Sequence, residues 1–434
     1  MIKRDISKLI LNDAKYFPVI AILGPRQSGK TTLAQSLFSS YTYVSLEEPK
    51  TRDAAINDPR KFLKDSIGST GVIIDEAQRA PDLFSYIQTY VDLHKKNGQI
   101  ILTGSQNFLL MQSISQSLAG RIALNTLLPL SINELKKANL LIDNPDQVVA
   151  KGFYPRIFDE HLDPNRWFPL YTTTYLERDI HLIQQVTDLK TFQRFTALCA
   201  GRIGQILNLS SLANDCGISV NTAKGWLSLL ETSYIVFLLY PHYKNFSKRL
   251  IKNPKLYFYD TGLACSLLNI TDAATLNSHY LRGGLFECMI ISDLIKECYN
   301  MGKRPWCFFW RDHTGHEVDC LIERGQSLFP IEIKAGLTIS KSYIEGLTFW
   351  NKIAEAPASN SFVFYAGDQQ TTWNDCNIVS WQSCAQVIDF VEHAPHYREQ
   401  QIFSQWINKK AKKRTTKTKR RKKSTKKRTK TRKT

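Results

Sequence analysis

The chain lacks any uninterrupted apolar run near the roughly 20 residues that a bilayer-spanning helix needs. Its longest strongly apolar stretch is Tyr234–Tyr240. A membrane partner is therefore not expected. A signal-peptide core is missing too, because residues 1–17 mix Lys3, Arg4, Asp5, Lys8, Asp13 and Lys15 among apolar side chains, the pattern of an amphipathic helix. The nine cysteines, at positions 199, 216, 265, 288, 298, 307, 320, 376 and 384, include no pair with the short spacing of a zinc knuckle or redox motif. Free thiols in a reducing compartment are expected, so the reading is of a soluble, cytoplasmic protein.

Acidic residues are absent from one segment. Residues 409–434 hold 17 of the 57 Lys and Arg and no Asp or Glu. The rest of the chain sets 40 basic against 39 acidic residues, so the net charge of +18 belongs almost wholly to that tail. A uniformly basic surface is excluded. With 434 residues, 43% of them hydrophobic, the chain is long and apolar enough for about three domains, which excludes a wholly disordered or fibrous protein.

From Pro18 to about Leu135, short apolar runs at 19–23, 43–46, 72–74 and 100–102 alternate with helical stretches. Runs of this kind bounded by Gly, Pro and Asp are the pattern of strands buried on both faces, so the fold class is α/β with a mostly parallel sheet over residues 1–135. Residues 136–205 read as a helical linker or lid, with aromatic spacing from Trp167 that suits core packing. Residues 206–279 read as a winged-helix-like module: a helix at 209–217, a Gly turn, a second helix capped by Ser219, and strands at 234–240 and 256–259. Residues 280–395 read as another α/β domain, with a helix at 285–299 and strands at 306–310, 316–322, 327–334 and 361–365. Residues 396–434 read as a disordered basic tail, too poor in apolar side chains to fold.

Gly24, Pro25, Arg26, Gln27, Ser28, Gly29, Lys30 and Thr31 match G-x-x-x-x-G-K-[ST], follow an apolar strand and open a helix through Thr32. This context is what a phosphate-binding loop requires. Backbone N–H groups surround phosphate oxygens, the helix supplies its positive end, Lys30 reaches the β- and γ-phosphates, and the Thr31 hydroxyl ligates Mg²⁺. A second apolar run, Val72 to Ile74, ends in Asp75 and Glu76. Asp75 suits the Mg²⁺ shell and Glu76 suits polarisation of the attacking water. A third run ends in Thr103, Ser105 and Asn107, where Ser105 either sits beside the γ-phosphate or caps a turn with Asn107.

With these motifs the chain resembles the bacterial and archaeal AAA-type P-loop ATPases that carry a C-terminal DUF4143 region. The resemblance rests on the loop, on Ile-Ile-Asp-Glu-Ala-Gln at 73–78, Leu-Thr-Gly-Ser at 102–105, Leu-Ala-Gly-Arg at 118–121 and Pro-Leu-Ser at 129–131. Downstream it extends to 175–179, 259–263 and 317–319, and so covers roughly residues 1–390. It implies ATP binding and hydrolysis with Mg²⁺. In that frame Arg121 is the candidate cation for the γ-phosphate, with a surface salt bridge as the alternative.

A second constellation lies downstream. Glu287 on a helix, followed by Asp319, Glu332 and Lys334 on neighbouring strands, is the order of acids and lysine in restriction-endonuclease-like cores. Such chemistry needs Asp319 and Glu332, with Glu287 from the helix, to hold a metal beside a scissile phosphate, and Lys334 to position or activate water. A two-residue hairpin with its tip at Arg324-Gly325 would set Asp319 opposite Pro330, with Glu332 and Lys334 on the same face. A nuclease, a noncleaving DNA-binding version of the fold and a hairpin with a charged solvent face all fit these residues. In the helix pair, Asn221, Thr222 and Lys224 fall where side chains meet DNA, although such pairs also serve as lids.

Two readings follow. One is an ATPase coupled to a DNA-binding or nuclease-like C-terminal half; the other is a nucleotide-switched regulatory protein with a noncleaving nuclease fold and slow or no hydrolysis. Both take ATP and Mg²⁺, and both are compatible with a homo-oligomer. The tail generates a test of its own. If about half of its 17 cations meet phosphates, log K against log salt should fall with a slope of roughly −7 to −8 on duplex DNA. Deleting residues 409–434 should flatten that slope and weaken binding to all sequences alike. Equal affinity and slope for the full and truncated chains would leave targeting as the better explanation of the tail.

Overall fold

A computed structural model of the chain describes residues 2–104, 117–176, 188–243, 252–393 and 403. The chain divides into two compact units, the first Met1–Pro241 with Lys252–Pro305 and the second His242–Ile251 with Trp306–Thr434. Among the described residues no helix is long and apolar enough to cross a membrane, and no cysteine is in a disulfide.

The first unit is built on strands β1 (Val19–Leu23), β2 (Thr42–Ser45), β3 (Val72–Asp75), β4 (Ile100–Gly104) and β5 (Ile122–Thr126). They pair in the order β2-β3-β4-β1-β5, all parallel. Their alternate residues feed two cores. Val19, Ala21, Leu23, Ile74 and Leu102 face one layer with the helix Leu83–His94, while Ile20, Ile22, Ile73 and Ile101 face the helices Ser7–Asp13 and Lys30–Leu37. A parallel strand covered on both faces must be apolar throughout, which is why β1, β3 and β4 read as unbroken runs. Strand β5 escaped that reading because it is an edge strand whose Leu124 is exposed and whose Asn125 is buried.

Between residues 145 and 171 three short helices, Pro145–Lys151, Pro155–Asp159 and Pro164–Tyr171, each begin with proline, whose fixed φ suits a first helical turn. Tyr154, Trp167 and Tyr171 pack with ring centroids 5.0 Å apart, so that aromatic spacing is core packing. Further on, Leu209–Cys216 and Val220–Thr232 are joined at Gly217, and the Ser219 hydroxyl caps the second helix by accepting from the Thr222 N–H at 3.0 Å. Strands β6 (Val236–Leu239) and β7 (Lys255–Phe258) form an antiparallel pair.

The helix expected to open the C-terminal domain runs Arg282–Asn300 and packs within the first unit, against the helix Pro145–Lys151 and β7. The reason is in its sides. Every residue from Cys288 to Cys298 is buried, so the helix needs cover all round and not along one stripe. Its charged residues are spent on that cover: the Asp293 carboxylate accepts from the Ile132 N–H at 2.8 Å, and Lys296 donates to the Leu130 carbonyl at 3.1 Å.

The second unit carries strands β8 (Cys307–Arg311), β9 (Glu317–Arg324), β10 (Ser327–Lys334), β11 (Phe362–Tyr365), β12 (Thr371–Trp373) and β13 (Cys376–Ser380). Their order is β12-β13-β11-β10-β9-β8; β8, β9 and β10 form an antiparallel meander, whereas β11 lies parallel to both β10 and β13. The hairpin turn is Gly325-Gln326, one place later than expected, so Pro330 pairs with Leu321 and not with Asp319. The left-handed φ of 61° at Gly325 explains the shift, since only glycine takes that conformation without penalty. A shift of one place at the turn preserves facing. Continued along the strands, the register sets Asp319 opposite Glu332.

Asp260 knits the first unit together. Its carboxylate caps the helix Thr261–Leu267 through the Leu263 N–H at 2.9 Å and accepts the distant Phe153 N–H at 2.7 Å. Burial holds this carboxyl above its usual range, partly offset by the Lys296 charge. Asp260→Ala should therefore cost about 2–4 kcal/mol, a lost cap plus a stranded buried donor. Urea unfolding followed by circular dichroism checks this, and an unmoved first transition would mean that water replaces both bonds without loss.

Candidate functional site

The carboxyl ends of β1, β3 and β4 lie side by side, because β1 pairs with β4 and β4 with β3 in parallel register. The loop Gly24–Gly29 leaves the first of these ends, Asp75 and Glu76 stand at the second, and Thr103 at the third. Crevices at such edges are where open α/β sheets bind ligands. Here the crevice is a cavity of about 620 Å³ lined by the loop, Asp75, Glu76 and Glu47, and also by Arg4 and Arg156.

The loop is a cradle shaped for an anion. Gly24 turns so close to the chain that a Cβ would lie 2.1 Å from the Leu127 carbonyl oxygen, so no other residue fits. Ser28 is fully buried, and its hydroxyl has no hydrogen-bond partner among the described residues. Lys30 is buried as well, and its ammonium donates to the carbonyls of Gly24 at 3.1 Å and Pro25 at 2.8 Å. A cation turned inward under the loop, beside an unsatisfied hydroxyl, is the arrangement a phosphate completes.

Oxygen ligands gather around Asp75. Thr31 donates its hydroxyl to both Asp75 carboxylate oxygens, at 3.0 and 3.1 Å, Tyr43 donates to Asp75 at 2.9 Å, and Thr103 donates to it as well. Desolvation and the Asp75 charge push the Tyr43 phenol up to about 12, so it stays a donor. A hydroxyl and a carboxylate in contact at the start of the loop helix are hard oxygen ligands suited to Mg²⁺, which keeps waters and substrate phosphate for its other positions. Glu76 adopts φ 54°, a left-handed conformation costly for a residue with a side chain, and Gln78 donates to its carboxylate.

Three contributors gave no signal in the sequence. Arg4 is buried beside the loop and donates to the Ser28 carbonyl at 2.8 Å, the Leu128 carbonyl at 2.6 Å and the Glu134 carboxylate at 3.0 Å. Tyr43 and Glu47 come from the β2 strand end. No local motif marks any of them.

Other expected residues fall elsewhere. Arg121 does not line the cavity; Asp92, on the helix Leu83–His94, holds it at 2.6 and 2.9 Å in the surface ion pair that was its alternative reading. Ser105 and Asn107 lie outside the described residues, as does the tail. Glu287 belongs to the first unit, where Lys255 pairs with it at 3.1 Å and Tyr257 donates to it. In the second unit the structure does bring the remaining three together. Asp319 accepts the Ile333 N–H at 2.8 Å, and Glu332 pairs with Lys334. Among the described residues no three His, Cys, Asp or Glu side chains group closely enough to hold a metal.

Comparison with known proteins agrees with this architecture. Residues 16–136 match the family model of an AAA domain, 142–274 a domain of unknown function numbered DUF8612, and 282–384 the domain of unknown function DUF4143. The protein Rv2008c of Mycobacterium tuberculosis is 30% identical over 344 residues, covering 78% of this chain and 75% of its own. The chain belongs to the AAA-type P-loop ATPases with a C-terminal DUF4143 domain. The protein MJ1637 of Methanocaldococcus jannaschii is also similar to this chain, 23% identical over 80% of this chain and 81% of its own length. Among solved structures, a Walker-type ATPase of Pyrococcus abyssi shares 14% identity at a TM-score of 0.43, covering 62% of this chain and 96% of that one.

Proposed function

We propose that the protein hydrolyses ATP at the β1–β3–β4 edge and that its C-terminal half engages DNA. The observation that carries the first part is the contact of the Thr31 hydroxyl with Asp75, together with the buried ammonium of the preceding residue, Lys30. Thr31 and Asp75 would hold Mg²⁺, which when bound neutralises phosphate charge and orients the β- and γ-phosphoryl oxygens. Ser28 and the loop N–H groups bind the phosphates, and Lys30 moves from the loop carbonyls to the phosphate oxygens. Glu76 takes a proton from water as the water oxygen bonds to the γ-phosphorus. The bridging P–O bond breaks, and its electron pair leaves with ADP. The strained backbone of Glu76 supports this role, since such strain collects where a side chain must be aimed.

For DNA the support comes from the second unit and from the helix pair. Asp319, Glu332 and Lys334 share one face of the β9–β10 hairpin, as a nuclease-like core requires. Asn221, Thr222 and Lys224 lie in the first turns of Val220–Thr232, where a recognition helix would present them, with β6 and β7 in the place of a wing. The three-carboxylate version of the metal site, with Glu287, is the part with least support, because Glu287 is engaged by Lys255 and Tyr257.

Lys30→Ala should abolish ATP hydrolysis and weaken ATP binding, as the phosphates lose their buried partner. Glu76→Gln should keep ATP bound while slowing turnover at least a hundredfold, because an amide cannot take the proton. Turnover at the wild-type rate by the Lys30 variant would remove the ATPase assignment, and loss of binding by the Glu76 variant would make Glu76 structural. Incubation with plasmid and Mg²⁺ or Mn²⁺ separates the two C-terminal readings. Cutting that Asp319→Ala abolishes means a nuclease; retention of the plasmid in gel shifts without cutting means a noncleaving DNA-binding fold.

A further inference from the structure

Besides the nucleotide cavity the first unit holds a second cleft, of about 560 Å³. That volume lies within the roughly 300–1,000 Å³ that small-molecule sites span. Every residue lining it falls within 142–274, the stretch that matches DUF8612. The helix Pro145–Lys151, residues 157–165 and residues 271–274 supply the lining, much of which is apolar: Ile142, Ala150, Ile157, Leu162 and Ala273 all take part.

The polar side chains in this lining are unevenly engaged. Gln147, Lys151 and His161 have no hydrogen-bond or ion-pair partner among the described residues. Gln147 and Lys151 stand four apart on one helix and so share a face. The Lys151 ammonium lies 4.6 Å from the centroid of the Phe158 ring and not beside a carboxylate, and burial pulls its pKa below the ordinary lysine value. The one carboxylate in the lining, Asp272, is spent on its own helix, where it accepts the Thr275 N–H at 2.7 Å. A partly desolvated cation on an apolar lining is complementary to an anion carried by an apolar body.

One short helix serves this cleft and the nucleotide cavity. From Pro155–Asp159 and the residues just after it, Pro155, Arg156, Asp159 and Glu160 line the nucleotide cavity, while Ile157, His161 and Leu162 line the cleft. The start of this helix is fixed, because the preceding Phe153 gives its N–H to Asp260 at 2.7 Å and its carbonyl accepts the Leu130 N–H at 2.8 Å. Its end is closed by two cleft residues: the Leu162 N–H donates to the Ile157 carbonyl at 3.2 Å, around His161 in the left-handed place usual for glycine. The same turn carries the Arg156–Glu160 pair, at 2.9 Å, in the nucleotide cavity. A body seated against Ile157 and Leu162 therefore bears on the turn that sets that pair.

We propose that this cleft is a second ligand site, for a small organic anion with an apolar body, and that its occupancy is sensed in the nucleotide cavity through the helix Pro155–Asp159. The anionic group pairs with the Lys151 ammonium, and the apolar body covers Ile157 and Leu162. The link to the nucleotide rests on the ATPase reading above; the site itself does not.

The test uses anilinonaphthalene sulfonate, an anion on an aromatic body, and phenylnaphthylamine, a similar body without the sulfonate, both followed by fluorescence on the folded full chain. Wild type should bind the sulfonate at a single site and the amine about tenfold more weakly or worse. Lys151→Gln should lose about tenfold for the sulfonate and stay within about threefold for the amine. Ala150→Phe, which fills the cleft from a half-buried position, should weaken both. Saturating ATP with Mg²⁺ should change the sulfonate affinity severalfold and then level off, as two coupled but separate sites require. Equal binding of the two probes by wild type would overturn the anion site even if the variants failed to fold. Undiminished sulfonate binding in both variants would overturn its location, as would complete displacement by ATP without levelling, which puts the probe in the nucleotide cavity. Sulfonate affinity unmoved by bound ATP would remove the link. Wild type that binds the sulfonate as expected but no nucleotide would reject the ATPase reading and leave the second site standing.

Discussion

Asp75 stands where β2, β3, β4 and the loop helix meet, and its carboxylate accepts a hydroxyl from each neighbour: Tyr43, Thr103 and Thr31. Those bonds fix the spacing between the loop and the acids without calling on Mg²⁺. The remainder of the site hangs from that spacing. If β3 slipped along β4, Asp75 would leave Thr31 and the loop would close on nothing. The sheet resists such slip because each strand's alternate residues are committed to one of two separate cores. A cluster of hydroxyls around one carboxylate also has a use beyond stability. Each is a neutral donor that a divalent cation can displace or share at small cost, so the site is pre-assembled without being locked.

Sequence legibility followed contact distance. The loop, the strand ends at Asp75 and Glu76, and the Ser219 cap were readable because their chemistry is local, set by neighbours a few residues away. Arg4 was not, since its meaning lies in Ser28, Leu128 and Glu134, partners that no spacing rule connects. Arg121 is the opposite case: its Leu-Ala-Gly-Arg setting is local, while its partner Asp92 lies on the distant helix Leu83–His94. In the second unit the hairpin was placed one residue early, yet the period of two kept Asp319 and Glu332 on one face, so the error in register did not separate them. The helix Arg282–Asn300 opens the DUF4143 match yet packs in the first compact unit, because burial on every side says that a helix is covered without saying by what.

The loop is tied to the rest of its unit by charge as well as by packing. Arg4 spans from the Ser28 carbonyl to Glu134, and Glu134 closes a capping box with Ser131 at the start of Ile132–Lys137. The N–H of Ile132 in that same turn is held by Asp293, and Lys296 one turn on holds the Leu130 carbonyl. A continuous set of buried polar contacts thus runs from the phosphate loop to the middle of Arg282–Asn300. Glu297, buried beside Asp293, is pushed well above the usual carboxylate range by desolvation first and by that neighbouring charge second.

That balance has a mechanical consequence. Buried pairs contribute little net stability while intact, but each becomes expensive when one partner is withdrawn, by about 3–5 kcal/mol. Arg4 and Glu134 are therefore held together with the Ser131–Ile132 turn, whereas the Ser28 carbonyl, one of three acceptors on the Arg4 guanidinium, is bound by a single hydrogen bond whose loss leaves the ion pair intact.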